Sequence, residues 1–483
     1  MKMRKISYTA LVIILSASSL FAQNFVDAFR LVTPNSLVNS AANGMGNAGM
    51  AMNVGYGSYL INPATAALAK KSELALSYYY DGNSTDARLF YSTFTKDQVS
   101  SQISELGMLY KVPTVQGSLV FGFGYNRVKD FNAVTEFNGF NNGNNSLIQD
   151  LTSVNSQLVY DLRLSHAVYD ESGNYLYDET PINGNLLQNG IIREEGSVTD
   201  WAFFTAVEVD KDLFLGVTLN LYGGSYSNDR DYYEIDSKNY YGDNLQIDPD
   251  DPNTVDFQEF YVNDNYTWDI SGWNLNAGFF YNFYNFIRFA GTIETPIKYK
   301  ITENYYVQGS SFFKNNYGYD VQPQYSSSEY SVTTPLKAGF GISVNLGILE
   351  ASAQAHISDY TQTKFEGGFD QATLNDLNNE IKENFRVAPD FQAGAVLHIP
   401  LIDIHPRIGA MYFVSPYAND RKENNRKYVT AGIGFFTHKS FSIDVSAMYG
   451  TWEDYFDIYG SGEARVYKTV KDYRATLTMT YRF

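Results

Sequence analysis

His166, His356, His398, His405 and His438 are the five histidines of this chain, and it has no cysteine. Without thiols, disulfide staples, thiolate zinc sites and cysteine nucleophiles are excluded. No Gly-x-Ser-x-Gly elbow, phosphate loop, His-Glu-x-x-His or dinucleotide fingerprint occurs. His356 beside Ser352 and Ser358 is the nearest approach to a hydrolase set, and a polar stripe on one strand face accounts for it. His398 and His405 flank a tight turn and could share a metal, but two imidazoles in a polar, water-accessible interior are the simpler account. Asp248, Asp250 and Asp251 lack the glycine-turn spacing of a calcium loop. The expectation is no enzyme, no metal and no cofactor.

What remains with binding potential is cationic or apolar. Arg288, Lys298, Lys337, Arg386, Arg407 and Arg474 fall by parity on the polar face of alternating segments, together with Glu208, Glu294, Glu350, Asp390 and Asp444. Arg386 opens the stripe Arg386–Ala388–Asp390–Gln392–Gly394–Val396, opposite Phe385, Val387, Phe391 and Leu397. With one acid on its stripe it is the first choice to hold a carboxylate. Lys298 is second, because Glu294 lies four residues away on the same face. Leu151, Val154, Leu158 and Leu162 recur at helical spacing, and Leu186, Leu187, Ile191 and Ile192 follow. Such a cluster in a polar segment either packs on itself as a lid or captures an apolar ligand, with Leu158, Leu162, Leu186 and Leu187 as its binding candidates.

Period-two strands must position these residues. Charged residues make up 18% of the 483 and aromatics 16%, nearly all of them the 40 tyrosines and 33 phenylalanines. The net charge of −18 excludes nucleic acid as a partner. Residues 1–22 carry Lys2, Arg4 and Lys5, then an apolar run and small residues to Ala22, the pattern of a cleaved secretory signal peptide. No later stretch has 18 consecutive apolar residues, so the exported chain has no membrane-spanning helix. Instead Tyr473, Ala475, Leu477, Met479, Tyr481 and Phe483 alternate with Arg474, Thr476, Thr478, Thr480 and Arg482. Ile287, Phe289, Gly291, Ile293, Ile297, Tyr299 and Ile301 alternate in the same way with Arg288, Thr292, Glu294, Lys298 and Lys300. Many such stretches reach about 10 residues and end in aromatics, as membrane strands do. Short turns at 113–116, 210–212, 283–285, 347–348, 400–402 and 438–439 alternate with long polar loops, of which 131–197 is the longest. The pattern predicts an all-β, antiparallel transmembrane β-barrel over 72–483, with about 14 strands and both ends periplasmic. Residues 86–94 belong to the first outer loop or extend its hairpin.

Residues 23–71 lack this alternation and lead into the barrel as a plug. Their stretch 44–64, GMGNAGMAMNVGYGSYLINPA, resembles the hatch of the FadL-type outer-membrane transporters of long-chain fatty acids and aromatic hydrocarbons. Segments 122–132, 286–306 and 334–365 are also similar to that family, and the terminal YRF resembles the signal read by the barrel-assembly machinery. Asn47 departs from the family's second glycine and Thr65 from the glycine common after Asn-Pro-Ala. The resemblance implies an outer-membrane channel for passive uptake of hydrophobic molecules, with Asn62, Pro63, Ala64, Gly44 and Gly46 at the hatch. Its expected partners are those molecules, outer-membrane lipid including lipopolysaccharide, and the assembly machinery through Phe483; a monomer is expected. The alternatives are an adhesin or receptor barrel acting through its long loops, and a general porin.

Overall fold

The computed structural model describes residues 25–33, 38–242, 244–314, 317–400, 402–437, 440–460 and 464–483. The expected signal segment and the turn at 438–439 lie outside them. Alternating residue type becomes alternating burial. Along the last strand Arg474, Thr476, Thr478 and Thr480 are buried, whereas Tyr473, Met479 and Tyr481 are exposed.

Fourteen antiparallel strands form one closed barrel. They are β1 (Glu73–Leu89), β2 (Ser92–Val112), β3 (Leu119–Asp130, continued by Ala133–Asn141), β4 (Leu186–Asp210) and β5 (Leu213–Ile235). Next come β6 (Glu259–Phe283), β7 (Ile287–Glu294 and Lys298–Phe312), β8 (Gly318–Thr333 and Lys337–Asn345) and β9 (Leu349–Asp359 and Lys364–Glu366). The last five are β10 (Val387–Leu397), β11 (Ile404–Phe413), β12 (Arg426–Thr437), β13 (Phe441–Asp457) and β14 (Arg465–Arg482). Closure comes from β14 pairing with β1, with Tyr481 opposite Leu74 and Ala475 opposite Tyr80. Residues 86–94 extend the first hairpin: Leu89 faces Ser92 across its turn.

No helix among the described residues is long and apolar enough to cross a membrane. Trp201 and Trp273 are exposed at one level of the outer wall, and Tyr110, Phe283, Phe286, Tyr481 and Phe483 at the other. The ten steps from Trp273 to Phe283 rise about 25 Å in a tilted strand, the height of an outer-membrane apolar band.

Above that band the parity changes. Glu294 pairs with Asn276, and Lys300 with Ser271. β7 therefore has one residue more than β6 between these pairs, and every later side chain changes face. Pro296 sits in this break and Pro335 in the corresponding break of β8, where a missing N–H does least harm. Thr295 and Thr334 repair the ladder: Leu275 N–H donates to Thr295 Oγ1 at 3.0 Å and Ile297 N–H to Thr334 Oγ1 at 2.9 Å. Tyr299 and Ile301, expected on the lipid face, are consequently buried inside the barrel, and Lys298 and Lys300 point out. The reversal suits its surroundings. This part of the wall stands above the bilayer, and its outward lysines pair with Glu366 at 2.8 Å and Glu329 at 2.7 Å.

Candidate functional site

The interior is built in three layers, a floor, a packed aromatic layer and a roof. Residues 39–69 form the floor by hydrogen bonding to strands around the whole barrel. Ser40 N donates to Thr478 Oγ1 on β14 (2.9 Å), Gly46 N to Thr430 Oγ1 on β12 (2.9 Å) and Met50 N to Gln354 Oε1 on β9 (2.7 Å). From the wall, Ser343 Oγ on β8 donates to Ala51 O and Ser118 Oγ, just before β3, to Ala67 O, both at 2.7 Å. Asn62 is fully buried. Its Nδ2 donates to Met50 O (2.9 Å) and to Phe279 O on β6 (3.0 Å), and its Oδ1 accepts Ala64 N–H at 3.1 Å. That last bond caps the 3-10 turn Pro63–Leu68, for which Pro63 is a suited first residue. Gly46 has φ +60°, and a Cβ there would lie 2.6 Å from Ala410 N, so this backbone touches the wall too closely for any side chain. Gly44 packs on Gly432 across a similarly small gap. These contacts bring Gly44, Gly46, Asn62, Pro63 and Ala64 into one buried layer.

Above the floor the lumen is aromatic. Tyr226, Tyr266, Trp268, Tyr299, Ile301, Tyr305, Tyr330, Tyr360 and Phe385 share one buried cluster with Ala28 and Leu31 of helix α1 (Phe25–Val32). Tyr226 lies 4.7 Å from Trp268, centroid to centroid. The polar ends are paired: Trp268 Nε1 and the Tyr330 hydroxyl both donate to Glu303 Oε2, at 2.8 and 2.9 Å. α1 is held by Arg30, whose Nε donates to Glu194 Oε1 at 3.1 Å, and by Lys129, whose Nζ donates to Arg30 O (3.2 Å) and Thr33 O (2.6 Å). The lysine thus satisfies carbonyls left open at the helix C-terminus. Sequence periodicity missed this aromatic lining because it assigned Tyr299, Ile301 and Phe385 to the lipid face. Phe385 in fact packs 6.5 Å from Phe29 and 5.2 Å from Tyr417. The available signal was the Thr-Pro pair interrupting both β7 and β8.

The roof comes from the outer loops. Leu147, Leu151, Leu158, Leu162 and Leu186 are buried together with Leu89, Phe137, Tyr232, Phe260 and Tyr459. The expected continuous helical spacing is broken: helices Leu147–Ser153 and Gln157–Asp161 are separate, Asn155 between them has φ 54°, and Val154 is exposed. Glu234 anchors the first helix by accepting Leu147 N–H at 2.8 Å and Ile148 N–H at 3.3 Å. Leu158, Leu162 and Leu186 therefore pack on one another, and Leu187 is half-buried beside them in β4.

The candidate cations are dispersed. Lys298 faces outward, 59% exposed. Arg386 is half-buried at the outer end of β10, where its Nε donates to Ser415 O at 3.0 Å. Arg288, Arg407 and Arg474 are inward but ion-paired with Glu350 (2.9 Å), Asp444 (2.6 Å) and Asp81 (2.7 Å). Lys337 faces in with Gly339 and Gly341, which touch Met50 of the floor. Arg426 lies 4.8 Å over the Trp452 ring. Among the described residues, Lys129, Lys337 and Arg426 have no carboxylate within 4.0 Å. Lys129 feels the charges of Arg426, Lys337 and Glu294. Sequence reasoning did not single out Lys129 or Arg426.

No protein-family model and no curated relative matches the chain. Solved structures do. A Pseudomonas aeruginosa FadL homologue superposes with a TM-score of 0.59 at 11% identity, over 94% of this chain and 99% of its own. The Pseudomonas putida toluene transporter TodX gives 0.54 at 10%, over 94% and 100%. The monoaromatic hydrocarbon channel CymD gives 0.51 at 12%, over 93% and 99%. The chain has the FadL-type fold. Within that fold Asn47 has a left-handed backbone, at φ 55°, a conformation asparagine tolerates better than most residues. Its amide is 3.5 Å from Met411 Sδ.

Proposed function

We propose that this protein is an outer-membrane channel for the passive uptake of hydrophobic molecules, long-chain fatty acids or similar lipids and hydrocarbons, with residues 39–69 as its hatch. The observation that carries this reading is the buried aromatic layer between the floor and the loop roof. An apolar molecule gains there by leaving water, at about 25 cal/mol per Å² of buried surface. A hydrophilic solute would have to displace both layers, which weighs against a general porin. The printed functions of the toluene transporter and the monoaromatic hydrocarbon channel agree with an apolar cargo. Lys337, Arg426 and Lys129 are the groups best suited to a carboxylate head, since among the described residues no carboxylate lies within 4.0 Å of them. Arg386 serves as a second carboxylate contact nearer the roof.

The test is uptake by proteoliposomes of a labelled long-chain fatty acid and of a neutral aromatic hydrocarbon. Both should enter faster than into empty liposomes. The double variant Lys337→Gln, Arg426→Gln should slow the fatty acid roughly tenfold or more, the size of one lost charge-assisted bond, and spare the hydrocarbon. Uptake of neither ligand would overturn the channel reading. Equal slowing of both would remove the two cations from the site.

A further inference from the structure

Charge and side-chain type are sorted by height on the outer wall of β6 to β9. Trp273 marks the outer edge of the apolar band, and Lys300, which pairs across the strands with Ser271, lies about 5 Å above it. Lys298 and Lys364 flank Thr333 in the row below, and the two share one carboxylate, Glu366, at 2.8 and 3.2 Å. Asp269 and Glu329 flank Thr302 in the row above Lys300. Higher still, Thr267, Asn304 and Ser327 stand in one row and Asn265, Tyr306 and Tyr325 in the next, about 15–20 Å above Trp273. They line an open groove of about 470 Å³ that carries no charge. Tyr325 is 78% exposed, and its ring centroid lies 5.8 Å from that of Tyr306. Among the described residues, the side chains of Asn265, Thr267 and Asn304 and the two tyrosine hydroxyls make no hydrogen bond. Their neighbours on the same wall are satisfied: Asn263 Nδ2 donates to Asp229 Oδ1 and the Tyr261 hydroxyl to Asp231 Oδ1, both at 2.8 Å.

We propose that this face holds a lipopolysaccharide-class glycolipid of the outer leaflet, with a phosphate on Lys298 and Lys364 and a neutral pyranose of its core seated between Tyr306 and Tyr325. The inference rests on the outer-membrane setting of the proposed channel. One C–H face of a pyranose is apolar and packs on an aromatic ring, while its hydroxyls both donate and accept hydrogen bonds. The amides of Asn265 and Asn304 offer the same mixed set, and the uncharged lining selects an uncharged ring. At the foot of the groove, two lysines with one acid between them leave a positive charge in excess at the height of lipid phosphates. A free glycan would leave the lysine row unused, and a phospholipid has no sugar for the groove. Only a molecule that carries a phosphate and, about 15–20 Å above it, a sugar uses the whole face.

The experiment is titration of the full-length chain in detergent, read by native mass spectrometry, with three probes. They are a lipopolysaccharide with a hexose-containing core, the phosphorylated lipid A cut from it, and its free core oligosaccharide. The parent should bind the whole lipopolysaccharide at least tenfold more tightly than either fragment. The double variant Tyr306→Ala, Tyr325→Ala should lower the affinity for lipopolysaccharide to that for lipid A and leave lipid A unchanged. Lys298→Gln with Lys364→Gln should weaken lipopolysaccharide and lipid A alike, by roughly tenfold, and spare the free core. Equal parent affinity for lipopolysaccharide and lipid A, or parent-like binding by the tyrosine variant, overturns the proposal. Free core that binds as tightly as the whole molecule overturns it too, in favour of a soluble glycan as occupant. Heat-modifiable folding is the control for both variants. Hydrocarbon uptake tests the channel separately and should stay parent-like in the tyrosine variant.

Discussion

Asn62→Ala should unseat the hatch. The side chain removed is fully buried and makes three bonds: to Met50 O at 2.9 Å, to Phe279 O at 3.0 Å, and from Ala64 N–H at 3.1 Å. Loss of the cap alone costs about 1 kcal/mol. Stranding a buried group costs about 1–3 kcal/mol, and only the Phe279 bond joins hatch to wall directly. The Met50 and Ala64 bonds hold the hatch in the shape that fits the wall, so they contribute in part. A total of about 2–4 kcal/mol against the seated state follows, or roughly a thirtyfold to several-hundredfold rise in the unseated population. Single-channel recording in planar bilayers reads that population as the frequency of large openings. Asn62→Asp, which keeps the acceptor and loses the donor, should fall between the parent and the alanine variant. Removal of residues 23–60 should give a permanently high conductance. An Asn62→Ala channel with parent-like opening frequency and normal folded yield would refute the gating argument. Unchanged conductance on removal of 23–60 would refute the hatch itself.

Phe483→Asp should reduce the heat-modifiable folded protein in outer membranes several-fold, because the ring lies exposed beside Tyr481, 6.0 Å centroid to centroid, where the assembly machinery would read it; parent-like levels would count against that role. In the outer loop, hydrogen bonds from the Tyr319 hydroxyl and from Asn253 hold the Asp251 carboxyl below the usual carboxylate range. A depressed acid stabilises its contact above its ordinary pKa and loses that contribution as pH falls through the lowered value, so hydrogen exchange in 248–254 should quicken only in strong acid. Asp251→Asn should remove that acid step, and an identical step in the variant would assign it to another group.

The alternation of Tyr473 through Phe483 with Arg474 through Arg482 was legible because a membrane strand has only two environments, lipid and lumen, and each position must suit one of them. Strand order was equally legible from turn lengths, since antiparallel neighbours joined by short turns have no other partner. The close packing of 44–46 on the wall was legible through its small residues, for Gly44 and Gly46 leave room for backbone to touch backbone. The aromatic layer was not legible. Above the bilayer, lipid no longer faces the wall, so the rule that apolar residues point out reverses, and a single extra residue between Glu294 and Lys300 carries Tyr299 and Ile301 from one face to the other. The same reversal took Lys298 out of the lumen, and Lys129, Lys337 and Arg426, which among the described residues have no carboxylate within 4.0 Å, come from three distant segments. Sequence states what each residue prefers. Which neighbour neutralises a charge, and on which side of the wall a ring ends, depends on register, and register is set only when all fourteen strands close.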